Sequence, residues 1–235
     1  MTEVQRTYIN LGKEEKVLDF CVVHFLDEAV MALNERGRFA VALSGGSTPK
    51  MFYEALTEEE SASKLDWTKI GLFWSDERAV APDHPDSNYA MAMHYFSKPP
   101  FNQAKVFRMQ AEREDRDQAA IEYEEEIRHF CPDARLDLVY LGLGEDGHIA
   151  SLFPETDALL VKDKLVVANF VPKLNSWRMT LTYEAINSAR NIVVLVVGKK
   201  KAKILHEVID GEDQTRYPAQ KVSGQEIPAF FVSDV

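Results

Sequence analysis

Cysteine is scarce in this chain. Its 235 residues include two, Cys21 and Cys131, which form no C-x-x-C pair. A disulfide framework is thereby excluded, and reduced thiols in a reducing, cytoplasmic compartment are expected. Long apolar runs are missing as well. The longest, Ile192 to Val197, is far too short to span a bilayer. The opening MTEVQRTYINLGKEEK has no apolar centre, so no signal peptide and no membrane partner are expected. Positive charge is in deficit: 27 Lys and Arg stand against 38 Asp and Glu, a net charge of −11. A nucleic-acid groove needs clustered Lys and Arg, so nucleic acid is excluded as a partner. An anionic ligand would have to be met by a local positive site. No repeat, low-complexity segment or Pro/Gly/Ser-rich linker divides the sequence, which is read as one domain over 1–235. At 46% hydrophobic and 28% charged residues it has a globular composition. Its length suffices to bury a full core without staples.

What is present centres on Leu136 to Pro154, LDLVYLGLGEDGHIASLFP. Leu136 to Leu141 is apolar except for Asp137, as in a strand covered on both faces. Gly142, Gly144 and Gly147 then form a turn that contains Asp146 and His148. Ligands of open α/β sheets bind beyond the carboxyl ends of strands, which is where this turn would lie. His148 is therefore read as the catalytic base of a small-molecule hydrolase.

A second strand–turn–helix lies upstream. The spacing predicts a long amphipathic helix from Glu14 to Arg36 and a buried strand from Phe39 to Leu43. Ser44-Gly45-Gly46-Ser47-Thr48-Pro49 follows, and Lys50 to Leu56 reads as helix, with Thr48 as its cap and Pro49 in its first turn. Such a loop offers backbone N–H groups, hydroxyls and a helix N-terminus to an anion. No Gly-Lys-Ser/Thr closes it, so it is not a Walker loop. Ile70 to Ser75 is a third apolar strand, ending in Asp76-Glu77-Arg78. Arg78 there is either part of a salt-bridged corner or faces the same mouth as the Ser/Gly loop. Ser87 caps a helix from Asn88 to Phe96, and His84 reads as a loop residue.

Further strands are expected at Lys105–Met109, Lys164–Val171, Arg178–Thr182, Asn191–Val197 and Pro228–Ser233. Helices are expected at Asp115–Phe130, at Tyr183–Ala189 and from Gly198 through Val208. Lys199, Lys200 and Lys201 open the last of these against its macrodipole, either as a solvated run or to meet an anion. The stretch Gly142 to Gly147 also matches G-x-G-x-x-G literally. However, Pro154 leaves no room for the helix a dinucleotide would need, and Glu145 and Asp146 would repel its pyrophosphate. Dinucleotide binding is not expected.

SGGSTP, WSDER with the downstream DSN, GLGEDGHIASLFP, RMTLT and GKKKAK occur in this order. Together they resemble the 6-phosphogluconolactonases, from about Phe39 to the C-terminal strand. SGGSTP alone is shared with the related glucosamine-6-phosphate isomerases/deaminases. The resemblance implies an α/β fold with a Rossmann-like, mostly parallel sheet and helices on both faces. It implies hydrolysis of 6-phospho-D-glucono-1,5-lactone in the pentose phosphate pathway, with no cofactor and no metal. By position, it makes His148 the general base and Asp146 the acid beside it. Arg78 falls near the lactone, and Ser44, Gly45, Gly46, Ser47, Thr48, Arg178 and Lys201 hold the phosphate. The expected partner is a small sugar-phosphate lactone, and the chain is expected to be a monomer or a homodimer. Ile149, where lactonases often carry Thr, matches the isomerase/deaminase side. Those relatives place a glutamate five residues after the histidine, whereas this chain has Phe153. The rival readings are an isomerase/deaminase and a non-catalytic sugar-phosphate-binding protein.

Overall fold

A computed structural model describes residues 5–235. In chain order its elements are β1 (Arg6–Asn10), α1 (Glu14–Arg36), β2 (Phe39–Leu43), α2 (Ser47–Glu58), α3 (Glu60–Ser63), β3 (Ile70–Trp74), β4 (Asp76–Arg78), α4 (Asn88–Phe96), β5 (Lys105–Val106), α5 (Arg116–Phe130), β6 (Leu138–Gly142), β7 (Val166–Val171), β8 (Ser176–Leu181), α6 (Tyr183–Ser188), β9 (Asn191–Val196), α7 (Ala202–Asp210) and β10 (Ala229–Ser233).

Seven strands form a parallel sheet in the order β1-β10-β9-β6-β2-β3-β5. Every residue of β2, β3 and β9 is buried, as strands covered on both faces must be. From β2 the chain runs outward through β3 and β5, and from β6 it runs the other way through β9 and β10. The reversal lies between β2 and β6, so their carboxyl ends open a crevice. β1, one of the two edge strands, pairs with β10. The sequence reading contained neither β1 nor a second sheet. That sheet is a three-stranded antiparallel layer, β4-β8-β7.

Helix α1 buries Val17, Cys21, Phe25, Ala29 and Ala32 along one stripe, and Gly37 ends it in the left-handed region at φ 68°. Phe25 packs its ring on Phe39, Phe52 and Trp67. Each such buried ring contributes roughly 1.5–3 kcal/mol. Cys21 and Cys131 are buried free thiols whose pKa values burial pushes up to about 12, so both are unreactive. Asp137, the lone acid of the apolar run, is fully buried just before β6. It accepts hydrogen bonds from Arg36 Nε at 2.9 Å, Arg38 at 3.2 Å and the Ala40 N–H at 2.7 Å. Arg190 Nε stands 3.4 Å away. The charge thus ties α1, β2, β6 and β9 together at the sheet end opposite the crevice.

Two local expectations are corrected. Thr48 is not the cap of α2: the helix starts at Ser47, Gly46 occupies the cap position, and no side chain caps it. Lys199–Lys201 forms a short 3-10 turn, so the regular helix begins only at Ala202. Ser87 does cap α4, accepting from the Ala90 N–H at 3.0 Å. Among the described residues, no helix is long and apolar enough to cross a membrane.

Candidate active site

The crevice at the β2/β6 reversal is a cleft of about 430 Å³. Five chain segments build it, two of them from the antiparallel layer.

The loop after β2 supplies Ser44, Gly45 and Gly46. Buried Tyr53 pins it: its hydroxyl donates to the Ser44 carbonyl at 2.8 Å and accepts from the Ser44 N–H at 2.9 Å. Gly46 has φ 106°, a conformation other residues rarely adopt, and this turns the chain directly into α2. The free N–H groups of that helix's first turn point back toward the loop. Ser47 and Thr48 lie in this first turn and do not line the cleft.

The turn after β6 supplies Gly142 to Asp146, His148, Ala150, Ser151 and Phe153. It folds back through the Gly144 N–H to the His148 carbonyl, at 2.8 Å, and the Gly147 N–H to the Gly144 carbonyl, at 3.0 Å. No helix follows Gly147 directly: the segment from His148 to Thr156 is turn and irregular chain. His148 Nδ1 lies 2.5 Å from Asp146 Oδ1, and its ring stacks on Phe153 with centroids 3.9 Å apart. The bond to His148, and after it the bond to Lys173, hold the Asp146 carboxyl well below the usual carboxylate range. An ionised Asp146 accepts, so Nδ1 carries a proton, and in the neutral ring the lone pair is on Nε2. That is the tautomer a general base needs.

The antiparallel layer supplies the guanidinium pair. Arg78 and Arg178 sit directly opposite each other in the β4/β8 register, and both line the cleft. Like charges placed so are destabilising on their own. Arg178 is partly buried, and its Nε is buried without a partner among the described residues. Burial first, and the charge of Arg78 second, make protonation of Arg178 less favourable than usual. Glu77 anchors this strand, accepting from the N–H groups of Arg78, Asn88 and Tyr89 at 2.8 Å each and from Ser87 Oγ at 2.9 Å. Arg78 also donates to the Asp86 carbonyl at 2.5 Å. Of the two readings of the Asp-Glu-Arg stretch, the salt-bridged corner is not found: among the described residues Arg78 forms no ion pair, and it lines the cleft together with the Ser/Gly loop.

Lys201 completes the rim from the turn after β9, its N–H bonded to the Gly198 carbonyl at 2.8 Å. Neither Lys199 nor Lys200 lines the cleft.

Three polar lining residues escaped the sequence reading as site residues: Asp76, Ser151 and Lys173. Asp76 is buried and accepts from Ser151 Oγ at 2.6 Å and from the Asn88 side-chain amide at 3.3 Å. It stood beside Arg78 in the Asp-Glu-Arg stretch, which was the available signal. Lys173 follows β7 in a bend that carries no motif, and its Nζ lies 2.6 Å from Asp146 Oδ2. Among the described residues, no group of three or more His, Cys, Asp or Glu is placed to hold a metal.

A protein of net charge −11 thus gathers Arg78, Arg178 and Lys201 around one cleft, while the charge of Lys173 is taken up by Asp146. This is the local positive site an anion would need.

Comparison with known proteins agrees in extent and in kind. Residues 12–230 match the model of the family described as glucosamine-6-phosphate isomerases/6-phosphogluconolactonase. A 6-phosphogluconolactonase of Chlamydia pneumoniae is 37% identical over 96% of this chain and 90% of that protein. One of Synechocystis sp. is 42% identical over 83% of this chain and 81% of its own. The crystal structure of 6-phosphogluconolactonase from Thermotoga maritima superposes with a TM-score of 0.79 at 31% identity, covering 98% of this chain and all of that one. Strand order, cleft position and sequence converge: the chain belongs to the glucosamine-6-phosphate isomerase/6-phosphogluconolactonase family.

Proposed function

We propose that the cleft hydrolyses 6-phospho-D-glucono-1,5-lactone to 6-phospho-D-gluconate, a step of the pentose phosphate pathway. The observation that carries this reading is His148, fixed by Asp146 with Nε2 free, in one cleft with a buried, unpartnered Arg178 nitrogen. The relatives named 6-phosphogluconolactonase support it.

Neutral His148 takes a proton from water through Nε2 as the water oxygen bonds to the lactone C1. The carbonyl electrons move to oxygen, which N–H groups of the glycine turn or Arg78 meet as an oxyanion. The oxyanion collapses, the bond from C1 to the ring oxygen breaks, and the imidazolium returns its proton to that oxygen. The carboxylic acid then loses its proton to solvent. General base catalysis of this kind contributes about 10²–10⁴-fold. The phosphate, at about −1.5 to −2 charge, sits between Arg178, Lys201 and the loop Ser44-Gly45-Gly46. The first-turn N–H groups of Ser47 and Thr48 add partial positive charge. Binding energy from this remote group is spent on placing C1. No metal takes part in this scheme.

Phe153 argues against ring opening. An isomerase/deaminase of this family uses a carboxylate at that place, and here an aromatic ring covers the imidazole instead.

The test is hydrolysis of freshly generated 6-phosphogluconolactone in EDTA, with the spontaneous rate subtracted, for wild type and His148→Ala. Strong wild-type turnover and a loss of about 10²–10⁴-fold in the variant are expected. No turnover by folded wild type, with ammonia release from glucosamine 6-phosphate, would establish the deaminase instead.

A further inference from the structure

Between β7 and β8 the chain turns through Pro172, Lys173, Leu174 and Asn175. Asn175 lies in the left-handed region at φ 44°, and its N–H bonds the Pro172 carbonyl at 3.0 Å. Lys173 and Leu174 thereby reach the cleft from the layer opposite the glycine turn. Asp146 is shared: Oδ1 meets His148 Nδ1 at 2.5 Å, and Oδ2 meets Lys173 Nζ at 2.6 Å.

A carboxylate this close to an imidazole has two opposed effects. It orients the ring, and it also favours the imidazolium, which has no lone pair to accept a proton. A base needs the first effect without the second. A cation on the far oxygen lowers the negative potential at the ring and leaves the hydrogen bond in place.

We infer that Lys173 is a positioning residue for the base: it offsets the charge of Asp146, so that Asp146 can orient His148 while the ring stays neutral. The inference rests on the reading of His148 as the base. The other charged or titratable groups near the ring come from every element packed there. Glu145 is exposed in the same turn, and Asp76, Arg78 and Arg178 come from the antiparallel layer. Lys201 lies after β9, and Tyr217 packs on Gly147. Phe153, the ring's stacking partner, is uncharged. All of them persist when Lys173 alone is changed.

The side chain of Lys173 is 67% exposed, so its replacement does not threaten the core. The experiment follows the His148 ring by NMR against pH in wild type, Lys173→Gln and Lys173→Arg. The resonance is assigned by its absence from His148→Ala. Lactone hydrolysis is measured over the same pH range. Lys173→Gln is expected to move the His148 midpoint upward by about 0.5–1 pH unit, the scale for one charge at this range near a protein surface. The acid limb of kcat/KM should move with it, KM on the plateau should hold, and Lys173→Arg should restore the wild-type midpoint. An unmoved midpoint overturns the inference. So does a raised KM with an unmoved pH profile, which would make Lys173 a substrate contact. If wild type does not hydrolyse the lactone, the proposed function fails by itself, and the NMR titration still decides whether Lys173 sets the charge on His148.

Discussion

Gly144→Ala offers a clean perturbation of the base. Gly144 does not adopt a left-handed φ, so its backbone tolerates alanine. The added methyl, however, would fall 2.0 Å from His148 Nδ1 and 2.2 Å from Cε1. Ordinary contact needs about 3.5 Å, so the ring must retreat by about 1.5 Å. Retreat takes it off Asp146 and off Phe153, the two contacts that orient it. A displacement of about 1 Å costs roughly 10²-fold in rate, and the variant should lose at least that much kcat. The fold should survive. The lost stack is worth about 0.5–1.5 kcal/mol and the lost hydrogen bond about 1 kcal/mol. At about 2–4 °C per kcal/mol for a chain of this size, Tm should fall by roughly 3–10 °C. Lactone hydrolysis and a thermal melt on the same preparation give both quantities. A variant that melts in this range yet keeps more than about a third of wild-type kcat would refute the assignment of His148 as the base.

Two further outcomes follow from the geometry. Arg178→Met and Lys201→Ala should each raise KM for the lactone about ten- to hundredfold with a smaller change in kcat, since a charge-assisted hydrogen bond is worth about 1.5–3 kcal/mol; steady-state kinetics showing KM unmoved in both would remove the phosphate assignment. Glu28 is buried in α1, accepts from the Asn191 amide at 2.6 Å, and has its pKa pushed up from 4.5 to about 7, chiefly by burial. Burial likewise pushes the neighbouring His24 down to about 4, so no imidazolium offsets Glu28 at neutral pH. A carboxyl raised in the folded state favours folding while protonated and loses that advantage as pH climbs from 4.5 through 7. Glu28→Gln should therefore gain on wild type by about 1–3 kcal/mol between pH 5 and pH 8, and urea unfolding showing a gap independent of pH would contradict the burial argument.

Much of the fold was legible because its signals are local. The apolar run before Gly142, the buried pentapeptide before Ser44 and the β-branched run at Asn191 each announce a covered strand, and all three lie in the central sheet. The Ser/Gly loop and the Asp146/His148 turn end two of these strands, so their meeting in one cleft followed from parallel topology. The antiparallel layer was not legible. β4 is three residues long, too short for any periodicity, and its pairing with β8 spans about a hundred residues of sequence. Thr48 seemed a cap because its hydroxyl suits that role; Gly46 took the position by turning through a positive φ one step earlier. Lys173 carries no signal at all. On paper it is one lysine among many, and only the bend at Asn175 delivers it to Asp146.

The edge strand β1 has a consequence for the order in which the molecule is made. β1 is synthesised before the other described strands, yet its pairing partner is β10. At about 5–20 residues per second, Ala229 is synthesised roughly ten to forty-five seconds after Asn10. Over that interval β2, β3 and β6 can pair among themselves, since each finds its neighbour within the chain already made. The segment Arg6–Asn10 has to wait, and its composition suits waiting: Arg6, Thr7 and Asn10 interrupt the apolar character that would let a bare edge recruit another chain. The earliest of the described strands is thus seated last, and it joins the sheet only once β10 has been made.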